Sequence, residues 1–391
     1  MIREIAGVIK REWKWMLFEK KYLILALVAP IVFTLTVDLV YSHKKVLALP
    51  VVFVDQDHSQ LSRAMIRAVL SNETFKSAGM IGSAEEFPEQ VAEDRAHVCF
   101  VFPYGMERDL KARRGARVEV LVDESNYLAG SVEMNNAIAV FKPFSVLAEV
   151  RMMEALKGAP PTLALRQSMP MDVGVRTWFN PGFTSNYLNF VAIGTAYIAL
   201  QLAALVIAIR SGSSEFGERS FQPLRAATQR PFVLAAGKVL AYLAPVLPVY
   251  LLVMLMPHLF FGAPLVRTGI SFWVVLIWFP ATMITFSYGL SAMTKDAVFA
   301  SEISTVLTLP NFLASGYTWP DIAFPKALLL LKYGMPMATV AFMMRKITLM
   351  GGTLADCGNQ LWALTGWTIV AVVVAWSGTR RILAHNLPGG N

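Results

Sequence analysis

Six stretches of the chain are each long and apolar enough to cross a bilayer as a helix, and that feature limits the fold more than any other. A hydrocarbon core about 30 Å thick needs roughly 20 apolar residues at 1.5 Å rise each. The stretches run from Tyr22 to Ser42, Tyr187 to Ile209, Phe232 to Met256, Ile270 to Met293, Val298 to Ala314, and Leu361 to Trp376 with a short extension. The segment from Tyr317 to Met350 is also apolar, but Pro320, Pro325, Gly334 and Pro336 interrupt it. Short helices that enter and leave by one face suit it better than a spanning helix. Composition points the same way: 55% of residues are hydrophobic and 16% charged, with a mean hydropathy of +0.50. Those values exclude an ordinary soluble enzyme, and 24 Phe, 11 Tyr and 9 Trp exclude a disordered chain.

The formal charge of +8 would suit a nucleic-acid partner only if it were gathered on one domain. It is not. Between His43 and Asn186 there are 16 Lys and Arg against 17 Asp and Glu, so the excess sits beside the apolar stretches. With the N terminus inside, the inner segments hold 14 basic residues: Arg3, Lys10, Arg11, Lys14, Lys20, Lys21, Arg210, Arg219, Arg225, Arg230, Lys238, Lys295, Arg380 and Arg381. The short outer segments hold five, Arg267, Lys326, Lys332, Arg345 and Lys346. This asymmetry places both termini in the cytoplasm and the 144-residue insert from His43 to Asn186 outside. The first apolar run is too long for a cleaved signal and lacks a small-residue cleavage site, so it reads as a retained anchor. Before it, Ile5, Val8, Ile9, Trp13 and Met16 recur at helical spacing opposite Arg3, Lys10, Arg11 and Lys14. Two readings fit these residues equally: an amphipathic helix in the inner interface, or a basic flank that orients the first span.

Within the insert the pattern changes to alternating strand and helix. Strands are expected at Leu49 to Val54, Val98 to Phe102 and Val118 to Asp123. Helices are expected at Gln60 to Leu70, from a capping box at Ser83 and Glu86 to about Asp94, at Met106 to Arg113, and along Asn126 to Leu156. Asp55, Asp57 and His58 offer ligand atoms at a strand end, but acids after a strand ordinarily act as turn and cap residues, and no metal site is assigned. None of the five histidines stands near a recognisable nucleophile motif, so a hydrolase has no support. Cys99 and Cys357 form neither a disulfide framework nor a metal spacing.

The inside loop over 210–231 is largely basic and polar, and its apolar Phe221 and Leu224 are what a short helix docking on a cytoplasmic partner would present. A solvated loop is the alternative. A phosphate-binding Gly-x-x-x-x-Gly-Lys-Ser/Thr loop is absent, since Gly237-Lys238 is followed by Val239. A chain of this kind needs an external source of work.

Three stretches carry a resemblance to a known family. They are Trp178-Phe179-Asn180-Pro181 with Ser185-Asn186-Tyr187 and Phe190, then Glu218-Arg219-Ser220-Phe221 with Thr228, Arg230-Pro231 and Gly237-Lys238. The third and most specific is Ser315-Gly316-Tyr317-Thr318-Trp319-Pro320 with Phe324-Pro325 and Gly334-Met335-Pro336-Met337. Over nearly its whole length the chain resembles an ABC type-2 transporter permease, of the subgroup with a large extracytoplasmic insert between its first two spans. In the second stretch Ser220-Phe221 replaces the family's Gly-Thr.

The resemblance implies an α-helical membrane protein of six transmembrane helices, with a re-entrant hairpin after the fifth and an extracytoplasmic α/β domain on a helical stalk. Residues 1–21 would form the amphipathic helix, 22–42 the first span, 43–186 the outer domain, and 187–391 spans two to six with the coupling loop (210–231) and re-entrant segment (315–350). It also implies one half of the membrane part of an exporter in the inner membrane, paired with a second copy or a close paralogue. Two ABC ATPase subunits would carry the ATP and Mg, leaving this chain without catalysis or a cofactor. Glu218, Arg219, Phe221, Leu224 and Arg225 would transmit the ATPase motion. Phe190, Tyr197, Gln201, Thr308 and Asn311 would line the path, although aromatic faces on membrane helices are also common packing surfaces. Asn180, Pro181, Gly316, Tyr317, Pro320, Pro325 and Pro336 would form the outer gate and hairpin, although helix initiation alone explains Asn180 and Pro181. Glu302, one turn or so from the inner interface, is read as a partner of Lys295 in preference to a functional charge.

The expected substrate is an amphipathic or hydrophobic molecule moved outward. The size of the outer domain allows a periplasmic adaptor as a further partner, membrane lipids are a second, and nucleic acid is not one. Two rival functions stand beside this. One is a membrane-anchored receptor acting through the outer domain. The other is an ion-driven transporter, which would need mid-span ionisable residues that the sequence hardly supplies.

Overall fold

A computed structural model describes residues 1–42, 47–112, 114–123, 125, 127–157, 187–216, 228–262, 269–317, 324–325, 332 and 334–385. The chain divides into two compact units, Met1–Ser42 with Thr177–Asn391, and His43–Arg176.

The first unit is helical: α1 (Ile2–Phe18) and α2 (Lys20–Val40) come from the N-terminal segment. The second unit supplies β1 to β4 and α3 to α6, given below. The helical unit resumes with α7 (Tyr187–Ser213), a 3-10 turn (Ser214–Phe216), α8 (Pro231–Phe261), α9 (Ile270–Thr294), α10 (Ala297–Leu313), α11 (Pro336–Thr348) and α12 (Gly358–His385). Five of these, α2, α7, α8, α9 and α12 with its preceding 3-10 turn, are long and apolar enough to cross a membrane. The expected fifth span, Val298 to Ala314, coincides with α10, whose 17 residues span about 26 Å and fall short of a full hydrocarbon core. Of the expected re-entrant segment, α11 is the one helix among the described residues.

The core of this unit is built on α9, which packs α7 on one side and α12 on the other. Side-chain hydrogen bonds tie the helices: Tyr250 donates to the Leu200 carbonyl at 2.7 Å, Ser287 to that of Leu205 at 2.6 Å, and Trp278 to Thr368 Oγ1 at 2.8 Å. Such bonds matter where packing replaces the hydrophobic drive between helices. Gly289 lets α9 and α12 approach, because a Cβ there would lie 2.4 Å from the Ala375 amide nitrogen. Outward, Ile24, Val28, Val32, Phe33 and Leu39 on α2 and Ile369, Val370, Val372 and Val373 on α12 are exposed. A surface this apolar belongs against lipid.

The second unit holds a four-stranded sheet of β1 (Leu49–Asp55), β2 (Phe75–Met80), β3 (Val98–Phe102) and β4 (Glu119–Val122) in the order β2-β1-β3-β4. β1 pairs in parallel with β2 and β3, and β3 pairs antiparallel with β4. Helices α3 (Gln60–Leu70), α5 (Met106–Lys111) and α6 (Tyr127–Lys157) cover one face, where Val51, Phe53, Phe75, Val98, Phe100 and Phe102 are buried. Val52, Val54, Cys99 and Val101 point to the opposite face, against Phe87 of α4 (Phe87–Ala92) and Ala96. β2 was not expected from the sequence: only Phe75 in it is buried, so this edge strand carries no apolar alternation.

The acids at the end of β1 are turn and cap groups. Asp55 accepts from the His58 amide at 3.0 Å and from Ser62 Oγ at 2.9 Å, Ser59 caps α3 through the Ser62 amide, and Asp57 accepts from the Glu107 amide at 3.1 Å.

Candidate functional site

The N-terminal helix keeps Arg3, Lys10 and Lys14 exposed, as its pattern suggested, and departs from that pattern at Arg11. Val8, Glu12 and Met16, spaced four apart, form its buried face, and α1 packs along α8. Gly237 makes this possible, because a Cβ there would come within 2.7 Å of Val8 Cβ. Trp13 Nε1 donates to the Ala241 carbonyl at 2.9 Å while its ring stays half exposed. Arg11, expected on the polar side, turns inward because a buried carboxylate awaits it.

That carboxylate belongs to a closed ionic cluster. Arg11 grips Glu215 through both guanidinium nitrogens, at 2.7 and 2.8 Å, and reaches Glu12 at 3.2 Å. Lys238 Nζ donates to Glu215 at 2.7 Å, to Glu12 at 2.9 Å, and to the Ser211 carbonyl and hydroxyl at 2.9 and 3.2 Å. Tyr242 donates to the other oxygen of Glu12 at 2.9 Å, and the Lys238 ammonium lies 5.6 Å over the Tyr288 ring. Glu12, Glu215 and Lys238 are fully buried. Two carboxylates and two cations leave the cluster neutral, which is the condition under which buried charges persist.

The cluster joins α1, the end of α7, the turn at Ser214–Phe216 and the start of α8. These flank the segment expected to be the coupling loop. Further ties fasten the same parts: Arg210 of α7 lies 3.6 Å from Glu19 and donates to Tyr22 at 3.2 Å, and Thr228, just before α8, donates to Glu4 at 3.1 Å. Lys295 sits 5.2 Å over the Phe216 ring. Among the described residues it does not pair with Glu302, which is exposed beside a cavity of about 470 Å³ lined by Tyr22, Arg210 and Val298. The expected coupling residues Glu218, Arg219, Phe221, Leu224 and Arg225 lie outside the described residues.

Of the expected path residues, three meet. Gln201 Nε2 donates to Thr308 Oγ1 at 3.3 Å, Asn311 Nδ2 donates to Gln201 Oε1 at 3.4 Å, and Asn311 Oδ1 accepts from the Ala338 amide in the first turn of α11 at 3.3 Å. All three are buried, so in this chain they satisfy one another between α7, α10 and α11. Tyr197 is fully buried with its ring 5.7 Å from that of Phe279. Phe190 is half-buried, its ring 5.0 Å from that of Tyr317.

Of the expected gate residues, Asn180, Pro181 and Pro320 lie outside the described residues. Gly316 adopts a φ of +78° and accepts from Arg345 at 3.5 Å. Tyr317 is buried and donates to the Ala341 carbonyl at 3.4 Å, and the Arg345 guanidinium stacks 5.5 Å over its ring. Pro336 opens α11, and Pro325 is exposed.

Sequence reasoning missed Glu12, Glu215 and Tyr242, and read Lys238 as an inner basic residue and as part of a motif, not as a buried partner. One signal was present: Glu12 interrupts the apolar stripe Val8–Met16, where a lone carboxylate requires a buried partner.

The second unit has its own buried acid. Glu133 of α6 is fully buried, and neither carboxylate oxygen finds a hydrogen-bond donor among the described residues. Burial pushes its carboxyl up to about 7, with the His97 charge opposing and the Asp123 charge reinforcing the shift. His97 Nδ1 lies 3.2 Å from Asp123, whose carboxyl is held below its usual range chiefly by hydrogen bonds from Ser125.

Comparison with known proteins adds one match and one negative result. A family model described as ABC-2 family transporter protein matches residues 20–377. No curated protein matches the chain.

Proposed function

The chain belongs to the ABC-2 transporter family, and from that premise we propose that it is the permease subunit of an ATP-driven exporter, moving an amphipathic or hydrophobic molecule outward across the inner membrane. It is a multi-pass membrane component of a family that works with ABC ATPase subunits. In our reading α10 is the fifth of six crossings, both termini are cytoplasmic, α11 belongs to a re-entrant hairpin, and the sheet-bearing unit lies outside. The excess of basic residues on the inner segments supports this orientation. Two copies, or this chain and a paralogue, pair around the path.

One observation supports the coupling step above others. The charges of Arg11, Glu12, Glu215 and Lys238 lock the N-terminal helix to both flanks of the inside loop. A push on that loop by an ATPase then moves α1, the end of α7 and the start of α8 together, since separating them would strand buried charge. The loop supplies the contact, through Glu218, Arg219, Phe221, Leu224 and Arg225, and the cluster carries the displacement to the spans. ATP and Mg stay on the partner.

Inside-out vesicles test the direction. With the chain and its ATPase present, a lipophilic fluorescent dye from a chemically varied panel accumulates in the lumen on adding ATP. Dye accumulation that follows an imposed ion gradient and ignores ATP would assign the chain to another class.

A further inference from the structure

The face of α6 that covers the sheet is wider than the sheet can fill. Met134, Ala137, Ile138, Phe141, Phe144 and Ala148 recur at helical spacing along it. Ala137 is buried, and Phe141 packs edge-on against Phe100 at 5.5 Å between ring centroids. Met134 and Ile138 remain exposed, Ile138 at 59% of its surface. Between them, α5 and the edge strand β4 lies a cleft of about 580 Å³ whose floor is Met65, Met106, Val118, Val120 and Phe141. That volume falls within the range of small-molecule sites, and thioether side chains on the floor adapt to varied apolar shapes.

The rim is not apolar. Arg117 and Lys142 line the cleft, are exposed, and among the described residues form no ion pair. Arg117 ends a basic run, Lys111, Arg113, Arg114 and Arg117, that leads into β4. Glu149, about two helical turns beyond Lys142, is the one acid on the lining, so cations prevail. We propose that this cleft binds a single amphipathic anion, its apolar body on the floor and its head group between Arg117 and Lys142. The site stands whether or not the chain exports, since its floor and rim lie within the sheet-bearing unit.

The test uses the full chain in phosphatidylcholine nanodiscs with a diazirine-bearing dodecanoate, followed by peptide mapping after illumination. The reference is labelling of α12, whose exposed Ile369, Val370, Val372 and Val373 the probe reaches from the bilayer. The proposal expects labelling of α6 peptides around Met134 to Phe144 well above that reference. Unlabelled dodecanoate should compete at least about tenfold better than dodecyltrimethylammonium or dodecanol, and the Arg117→Glu/Lys142→Glu variant should lose about tenfold in labelling. Both substitutions are at exposed positions, and hydrogen exchange of β1 and β3 checks that the unit stays folded. Labelling no greater than that of α12, equal competition by the cation or the alcohol, or an undiminished signal in the charge-reversed variant would overturn the proposal. So would an efficient disulfide between two copies of Ile138→Cys, which would assign the cleft to a second chain.

Discussion

Lys238→Met removes the cation at the centre of the ionic cluster, and its consequence can be worked from the contacts. The ammonium touches Glu12 at 2.9 Å and Glu215 at 2.7 Å, and all three side chains are fully buried. Glu215 keeps the bidentate Arg11, and Glu12 keeps the Tyr242 hydroxyl and the longer Arg11 contact. The buried charge passes from zero to minus one. Breaking a buried ion pair by deleting one partner costs about 3–5 kcal/mol, and because Arg11 still bridges both carboxylates the lower end, about 3 kcal/mol, applies. That loss falls on the seam between α1 and α8, so the opened seam becomes about a hundredfold more populated. Hydrogen exchange of the full chain in nanodiscs reads this directly. Protection of α1 amides should fall about a hundredfold in Lys238→Met, with β1 and β3 unchanged. Adding Glu215→Gln restores neutrality with Arg11 and Glu12 and should recover about 1 kcal/mol or more. An α1 seam unaltered by Lys238→Met, or a double variant looser than the single one, would refute the idea that charge balance holds it.

Further outcomes follow from other parts of the molecule. Phe221→Asp should leave an associated ATPase hydrolysing ATP while dye transport is lost; unchanged transport would remove the loop from the coupling step. Glu133 predicts a pH effect whose sign is set by its raised carboxyl, at about 7 against an ordinary 4.5. Its folded form holds a proton that the unfolded chain releases, so the contribution of Glu133 to the unit's stability is full below about 4.5 and falls by about 3 kcal/mol as pH rises towards 7. Glu133→Gln should flatten that dependence in hydrogen exchange of β1 and β3 between pH 5 and 8. Asn311→Leu should destabilise the full chain by about 1–3 kcal/mol, because the Ala338 amide loses its acceptor inside the bundle. A thermal melt checks it, and an unshifted melt with altered dye preference would make Asn311 a path residue instead of a structural one.

The membrane helices were legible because each is a local property, a long apolar run that has to satisfy its own backbone. The strands Leu49–Asp55 and Val98–Phe102 were legible for a similar reason, being short β-branched and aromatic runs bounded by turn residues. β2 was not, because Lys76, Ser77 and Gly79 hold their place by pairing to β1 with little burial. The ionic cluster was invisible for a different reason. Glu12, Glu215 and Lys238 are more than two hundred residues apart at the extremes and each resembles an ordinary flanking charge. Only the packing of α1 on α8, allowed by Gly237, brings them together. The expected path residues show another case: the family resemblance put Gln201, Thr308 and Asn311 in one group, and in the fold their side chains meet and close on one another through hydrogen bonds.

The central claim is that this chain is the membrane half of a machine whose motor is another protein. The most direct measurement is purification of the tagged chain in a lipid-preserving polymer, with ATP hydrolysis assayed on what accompanies it. The account predicts a co-purifying ABC ATPase that hydrolyses ATP and is lost or uncoupled on changing Phe221. A preparation free of any ATPase, repeated in a second membrane mimic, would contradict it and turn attention to a receptor acting through the sheet-bearing unit.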